Sequence, residues 1–237
     1  DQQVLEDAAA QTVTGWATGI SKGPANENAQ RLTFTVSDDN AALFTATGRP
    51  TLDVDGNLYY TPAANAYGTA TVTVSLADDG ATENGGKDTS ASATFTVTVL
   101  PVNDQPTFED SGDIAVSEDS GAYSNAWAKP TSFYVGPANE QQARIFSIEA
   151  TTVTSLLGNS SLFSVAPAID PTTGAISFTP AQNANGTATV SVVLKDRDGT
   201  DNGGVDTSVT HTFTITVDAV NDDPTFETAG TVTVKED

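Results

Sequence analysis

Ala70-Thr71-Val72-Thr73-Val74-Ser75-Leu76 alternates aliphatic side chains with small hydroxyl ones. A period of two puts one set of side chains on a buried face and the other in water, the pattern of a half-buried β-strand. Phe95, Val97 and Val99 alternate in the same way, as do Leu32, Phe34 and Val36. Between such runs Gly, Pro, Asn and Asp cluster at the short spacing of a sandwich, and no segment keeps a helical period for three turns. The reading is all-β, with about seven strands in each sandwich. Periodicity does not fix the order of the strands.

Working outward from that strand, the chain repeats itself. Gly68 corresponds to Gly186, and the same offset of 118 relates Pro62 to Pro180, Asp78 to Asp196, Asp88 to Asp206 and Phe95 to Phe213. The stretch Val102-Asn103-Asp104-Gln105-Pro106-Thr107-Phe108 returns at that offset as Val220-Asn221-Asp222-Asp223-Pro224-Thr225-Phe226. Nearer the N-terminus the offset shrinks: 111 from Trp16 to Trp127, and 113 from Gly-Pro-Ala-Asn-Glu at 23–27 to its match at 136–140. The second copy therefore holds extra residues around 151–160, expected to form a longer loop. A third copy is expected to begin at the end, where Val234-Lys235-Glu236-Asp237 echoes Val4-Leu5-Glu6-Asp7 and Val116-Ser117-Glu118-Asp119. The expected organisation is a sandwich over 1–104, a second over 105–222, and over 223–237 a linker with the first strand of a third repeat.

Composition narrows the function. The 237 residues include 31 acidic and nine basic side chains, a formal charge of -22. Such a surface repels nucleic acid and anionic lipid and strains the fold by self-repulsion unless cations neutralise part of it. Divalent cations are the natural candidates. Cys is absent, which removes disulfides, thiolate metal sites and Cys nucleophiles. Met is absent too, and no signal-peptide pattern or apolar stretch near transmembrane length occurs. The expectation is a stretch of a longer secreted protein, with no membrane insertion of its own.

Single residues that could carry other chemistry have plainer readings. Asp53-Val54-Asp55-Gly56 begins like a calcium-binding EF-hand loop, but no Glu follows at loop position twelve, and a β-turn is expected. Asp88 and Asp206, in Asn-Gly-Gly-x-Asp hairpins, read either as turn caps or as ligands. Trp16 and Trp127 could stack on sugars, yet their small and apolar neighbours favour the core. His211, the only histidine, precedes Phe213, Ile215 and Val217 at even spacing, which makes it a structural residue at a strand end. A Ser-His-Asp triad or a zinc site has too few parts here, and no enzyme is expected.

Four elements in a fixed order carry a family resemblance: Val-x-Glu-Asp at Glu6, Glu118 and Glu236; the stretch Gly56 to Gly68, with Gly174 to Gly186 as its looser counterpart; the acidic loops at Asp78 and Asp196; and the Asn-Asp-x-Pro linkers at Asn103-Asp104 and Asn221-Asp222. Together these resemble cadherin-like repeats, specifically the tandem extender repeats of large RTX-type bacterial surface adhesins. The linker departs from that of animal cadherins, with Asn-Asp one residue nearer the proline. An acid at the first linker position occurs only in the second copy, as Asp218, where the first has Leu100.

The resemblance implies tandem immunoglobulin/cadherin-like Greek-key sandwiches and Ca2+ shared between successive repeats. Carried over residue by residue, the first junction would use Glu6, Asn103 and Asp104 with Glu140, Asp196 and Asp198, and Asn65 as a further candidate. A second junction would use Glu118, Asn221 and Asp222, and at the N-terminal end Glu27 and Asp78 would face an equivalent linker. Calcium takes six to eight oxygen ligands, and extracellular modules bind it at roughly 10⁻⁴–10⁻³ M. The implied function is a calcium-rigidified extender at the cell surface, whose partners are neighbouring repeats of the same chain and which holds a distal adhesion domain away from the cell. The alternative is a module that itself binds polysaccharide or a surface protein, with the insertion at 153–158 as the place to look.

Overall fold

A computed structural model describes residues 1–80, 82–138, 140, 143–158, 160–228 and 230. Asn139 of the Gly-Pro-Ala-Asn-Glu motif and the expected third-copy strand, Glu236 included, lie outside the described residues. The chain forms two compact units. Unit 1 comprises Asp1–Pro106, Tyr134–Ala143 and Asp196–Asp206; unit 2 comprises Thr107–Phe133, Arg144–Lys195 and the described residues of Thr207–Asp237.

Unit 1 holds β1 (Gln2–Leu5), β2 (Gln11–Val13), β3 (Leu32–Asp38), β4 (Thr51–Leu52), β5 (Leu58–Tyr60), β6 (Gly68–Asp78) and β7 (Ala93–Leu100). One sheet runs β1-β7-β6-β3 and the other β2-β5-β4. The pairing of β1 with β7 is parallel, with Val4 beside Val99; the remaining pairs are antiparallel. The alternation of β6 buries Ala70, Val72 and Val74 and turns the threonines outward. These meet Phe95, Val97 and Val99 of β7 and Leu58 and Tyr60 of the opposite sheet in one core, with Leu43 and Phe44 closing it. Trp16 packs on that core, its ring 4.4 Å from Phe95.

Unit 2 repeats the plan with β8 (Ile114–Ser117), β9 (Tyr123–Ala126), β10 (Ile145–Leu157), β11 (Phe163–Ile169), β12 (Ala175–Pro180), β13 (Asn185–Lys195) and β14 (His211–Asp218). Its sheets are β10-β13-β14-β8 and β11-β12-β9, again with one parallel pair, β8 with β14. Trp127 is buried between the sheets, 4.3 Å from Phe213, and donates its indole N–H to Gly112 O at 2.9 Å. Each unit is thus an all-β, seven-stranded sandwich of the immunoglobulin/cadherin Greek-key type. Among the described residues no helix is long and apolar enough to cross a membrane.

One expectation fails. The extra residues of the second copy form no longer loop. They lengthen a strand: β10 has 13 residues where β3 has seven, and it stays paired with β13 from Ile145 to Leu157. Ala150 to Leu157 contains no Gly or Pro, so nothing breaks the strand before Gly158. Two register shifts, between Ile148 and Ala150 and between Val153 and Ser155, absorb the added length as bulges.

His211 opens β14, accepts or donates at Nδ1 to Asp110 Oδ2 at 2.6 Å, and stacks 4.0 Å from Phe108. That is the structural role expected of it. The Asp53 turn also closes as expected: Gly56 N donates to Asp53 O at 3.0 Å, and the Asp53 carboxylate accepts from Asp55 N, Asn57 N, Asn57 Nδ2 and the Tyr59 hydroxyl. These bonds hold Asp53 below the usual carboxylate range and are those of a closed turn.

Candidate metal centre

Unit 1 gathers six of the residues expected from sequence. Glu6 follows β1, and its backbone N–H continues the β1–β7 pairing by donating to Leu100 O at 2.9 Å. Its side chain turns inward, 3% exposed, and Oε1 accepts from Val102 N at 2.6 Å. The linker is thereby fastened one residue before Asn103. Asn103 is itself buried, with its Nδ2 donating to Asp196 Oδ1 at 3.1 Å and to Val205 O at 2.8 Å. Acceptors surround the nitrogen, so the amide orientation is fixed and Oδ1 points the other way.

Glu140 is placed by a short motif. In Gly136-Pro137-Ala138-Asn139-Glu140 the Glu140 N–H donates to Pro137 O at 2.9 Å. Its carboxylate folds back over Gly136, where a Cβ would stand 2.0 Å from Oε2 at a φ of +104°. Only glycine suits that position. Gly23 repeats the arrangement under Glu27, with φ +102° and a Cβ-to-Oε2 distance of 1.9 Å. Glu140 Oε2 accepts from Asp104 N at 3.2 Å, which joins the motif to the linker. Asp196, at the end of the Val193-Leu194 buried run, and Asp198 complete the group. Asp196 Oδ1 accepts from Asp198 N at 3.2 Å, and Asp198 lines the same cleft as Asn103 and Glu140.

The electrostatics are those of a site that wants positive charge. Burial pushes Glu6 above the usual carboxylate range, and the charges of Asp7 and Asp104 push it further against the bond from Val102. Glu140 is raised first by burial and then by Asp104, Glu6 and Asp198. Asp104 is raised by burial and Asp7, and Asp196 by burial, with Asp198 and Asp206 adding to it against the Asn103 bond. Three buried atoms in this group have no hydrogen-bond partner: Glu6 Oε2, Asn103 Oδ1 and Glu140 Oε1. All three are oxygens. An unpaired buried acceptor costs about 1–3 kcal/mol, more when charged. Among the described residues, no three His, Cys, Asp or Glu side chains stand close enough to hold a metal by themselves.

Sequence reading missed Asp7 and the part that Asn202 plays in the hairpin at 200–205. Asp7 Oδ1 accepts from Asn65 N at 2.9 Å, so Asn65 serves through its backbone, and the charge of Asp7 acts on both Glu6 and Asp104. The motif Val-x-Glu-Asp contained Asp7 all along. Asn202 Nδ2 donates to Pro101 O at 2.9 Å, which makes the Asn-Gly-Gly hairpin a seat for the linker.

In unit 2 the second expected set is only partly assembled. Glu118 is buried at 6% exposure, and its Oε1 accepts from Val220 N at 2.8 Å, as Glu6 does from Val102. Asp119 Oδ1 accepts from Asn183 N at 3.1 Å, matching Asp7 and Asn65. Asn221 and Asp222 are exposed. At the other end of unit 1, Glu27 and Asp78 share a cleft with Asp88.

No protein-family model matches the chain, and no curated protein matches it. Among solved structures, human protocadherin-24 EC1-2 is 15% identical with a TM-score of 0.47, over 92% of this chain and 94% of that one. Drosophila N-cadherin EC1-4 is 13% identical with a TM-score of 0.44, over 79% of this chain and 42% of that one. Chicken VE-cadherin EC1-2 is 16% identical with a TM-score of 0.31, over 91% and 96%.

Proposed function

We propose that unit 1 binds calcium through Glu6, Asn103, Asp104, Glu140, Asp196 and Asp198, and that the chain is a non-catalytic extender of an extracellular adhesin. The observation that carries this is the trio of buried, partnerless oxygens on Glu6, Asn103 and Glu140. A donor could satisfy them one at a time, but a single hard cation satisfies several and neutralises the acids around it. Carboxylates with one amide oxygen are the donor set calcium prefers; magnesium would keep most of its water and use fewer of them. Backbone carbonyls and water would complete the six to eight oxygens that the side chains alone do not supply.

The consequence is mechanical. The ligands come from the start of the chain, from the linker and from two segments distant in sequence, so bound calcium would tie the linker to all of them. Without it the same carboxylates repel one another. Pro106 restricts the backbone further. A chain of such repeats would be stiff in calcium and flexible without it, the property needed to hold a binding domain away from a cell surface.

Thermal unfolding with calcium and with chelator, together with small-angle scattering of the same samples, tests this reading. A marked rise in melting temperature with calcium and a stiffer particle are expected, and Asp104→Ala should erase most of both effects. Identical melting and scattering in the two conditions would overturn it.

A further inference from the structure

The linker of unit 1 lies on the 200–205 hairpin through two side-chain amides. Asn202 Nδ2 donates to Pro101 O at 2.9 Å, and Asn103 Nδ2 donates to Val205 O at 2.8 Å. Val205 N donates in return to Asn103 O at 3.0 Å. Gly204 is buried beneath, where a Cβ would stand 2.8 Å from Asn103 N, so the linker lies close against the turn. Of the two amides that of Asn103 is buried, but Asn202 is exposed to water, and the residue after it is Gly203.

Asn-Gly is the dipeptide from which a side-chain amide is most readily lost, because glycine puts no side chain in the way of its own attacking nitrogen. The folded hairpin opposes that reaction. Asn202 stands at φ 58° and ψ 14°, and Gly203 N donates to Thr200 O at 3.3 Å. Closing the five-membered ring requires rotation about ψ and loss of that bond, while the amide itself is tied to Pro101. The reaction therefore waits until the hairpin opens, and the bonds to the linker resist that opening.

We propose that Asn202 is a deamidation site guarded by the linker, and that its conversion keeps the linker from reseating. In the open hairpin the Gly203 nitrogen attacks the Asn202 amide carbon, the bond to Nδ2 breaks, and ammonia leaves carrying the Gly203 proton. One water then opens the succinimide at either carbonyl, to aspartate or to isoaspartate. Neither product restores the seat. A carboxylate has no proton to give Pro101 O, and isoaspartate also adds a methylene to the backbone of a tight turn. The new charge falls in the cleft that Glu140, Asp198 and Asp201 already line. A period with the linker unseated thus becomes a permanent change in the chain. That calcium sets how long the linker stays seated rests on the metal reading above; the guarding contact does not.

Peptide mapping of the whole chain, held at mildly alkaline pH in calcium and in chelator, follows the conversion site by site. Asn84-Gly85 serves as the internal reference, with the same φ of 58° and no hydrogen bond to a linker in this chain. In calcium Asn202 should convert at least about tenfold more slowly than Asn84, the scale of one or two hydrogen bonds lost on opening. Chelator should narrow the gap. Hydrogen exchange reads the consequence: N202D should speed exchange at Val102 and Val205, whose N–H groups donate to Glu6 and Asn103, and N84D should not. Equal conversion at the two sites in both media would overturn the guard. Unchanged exchange in N202D would overturn the release. Slow conversion at Asn202 in both media alike, with N202D still loosening the linker, would support the switch and overturn calcium as what holds the linker.

Discussion

Glu140 is unfavourable to the bare fold and, on the calcium reading proposed above, useful to the loaded one. Its carboxylate is 6% exposed, Oε1 lacks a partner, and three other carboxylates raise its proton affinity after burial does. Replacing it with Gln removes the charge and keeps the shape. In chelator E140Q should therefore be more stable than the parent, by about 1 kcal/mol, the scale of one unsatisfied buried acceptor. In calcium the order should invert, because a charged ligand is gone; calcium affinity should drop roughly tenfold or more. Chemical denaturation with and without calcium measures both signs. A variant less stable than the parent in both media would mean that Glu140 only supports packing. The same residue shows what sequence alone reveals. The repeat of Gly-Pro-Ala-Asn-Glu aligned the two copies and the family resemblance implied Glu140 as a ligand, but only the structure shows that Gly136 is there to let the carboxylate fold back.

At the scale of elements, period-two alternation made β6, β7 and β3 legible, because each buries one face against a partner sheet and leaves the other in water. The insertion was harder to read. A loop was expected because the repeat broke, whereas β-branched residues without a turn former kept β10 paired through two bulges. Register shifts break the hydrophobic period, since each bulge flips the faces, and a broken period reads like the end of a strand. The linker residues were legible through repetition, but the Asn202 hairpin was not, because it acts through a side-chain amide donating to a backbone carbonyl. Trp127 is the element-scale test of the core. It follows β9, packs against Phe213 of the other sheet and against Phe108, and is 2% exposed. Trp127→Ala should cost about 3–5 kcal/mol by opening a cavity between the sheets of unit 2. Trp16→Ala, at a half-buried position, should cost less. Urea denaturation of the two variants decides it, and equal losses would contradict the difference in burial.

For the whole molecule, a charge of -22 makes stability a question of which acids keep their protons and which meet a cation. Glu6, Asp104, Glu140 and Asp196 are raised in the fold, chiefly by burial. The folded chain binds their protons more tightly than the unfolded chain does. Their contribution is therefore fully present below the ordinary carboxylate range, near pH 4, and is lost as pH rises through the raised values. Asp39, Asp53, Glu149 and Asp170 act oppositely: hydrogen bonds lower them, and the stability they give is lost as pH falls below that range. In chelator, melting temperature should thus climb as pH is lowered from neutral toward about 4 and turn down below it. With calcium at saturation the slope should reverse over the same interval, since protons compete with the ion for the same oxygens. The two curves, far apart at neutral pH, should converge as they approach pH ~4. Curves that ran parallel across that interval would mean that whatever calcium does to this chain, it does not do through these four carboxylates.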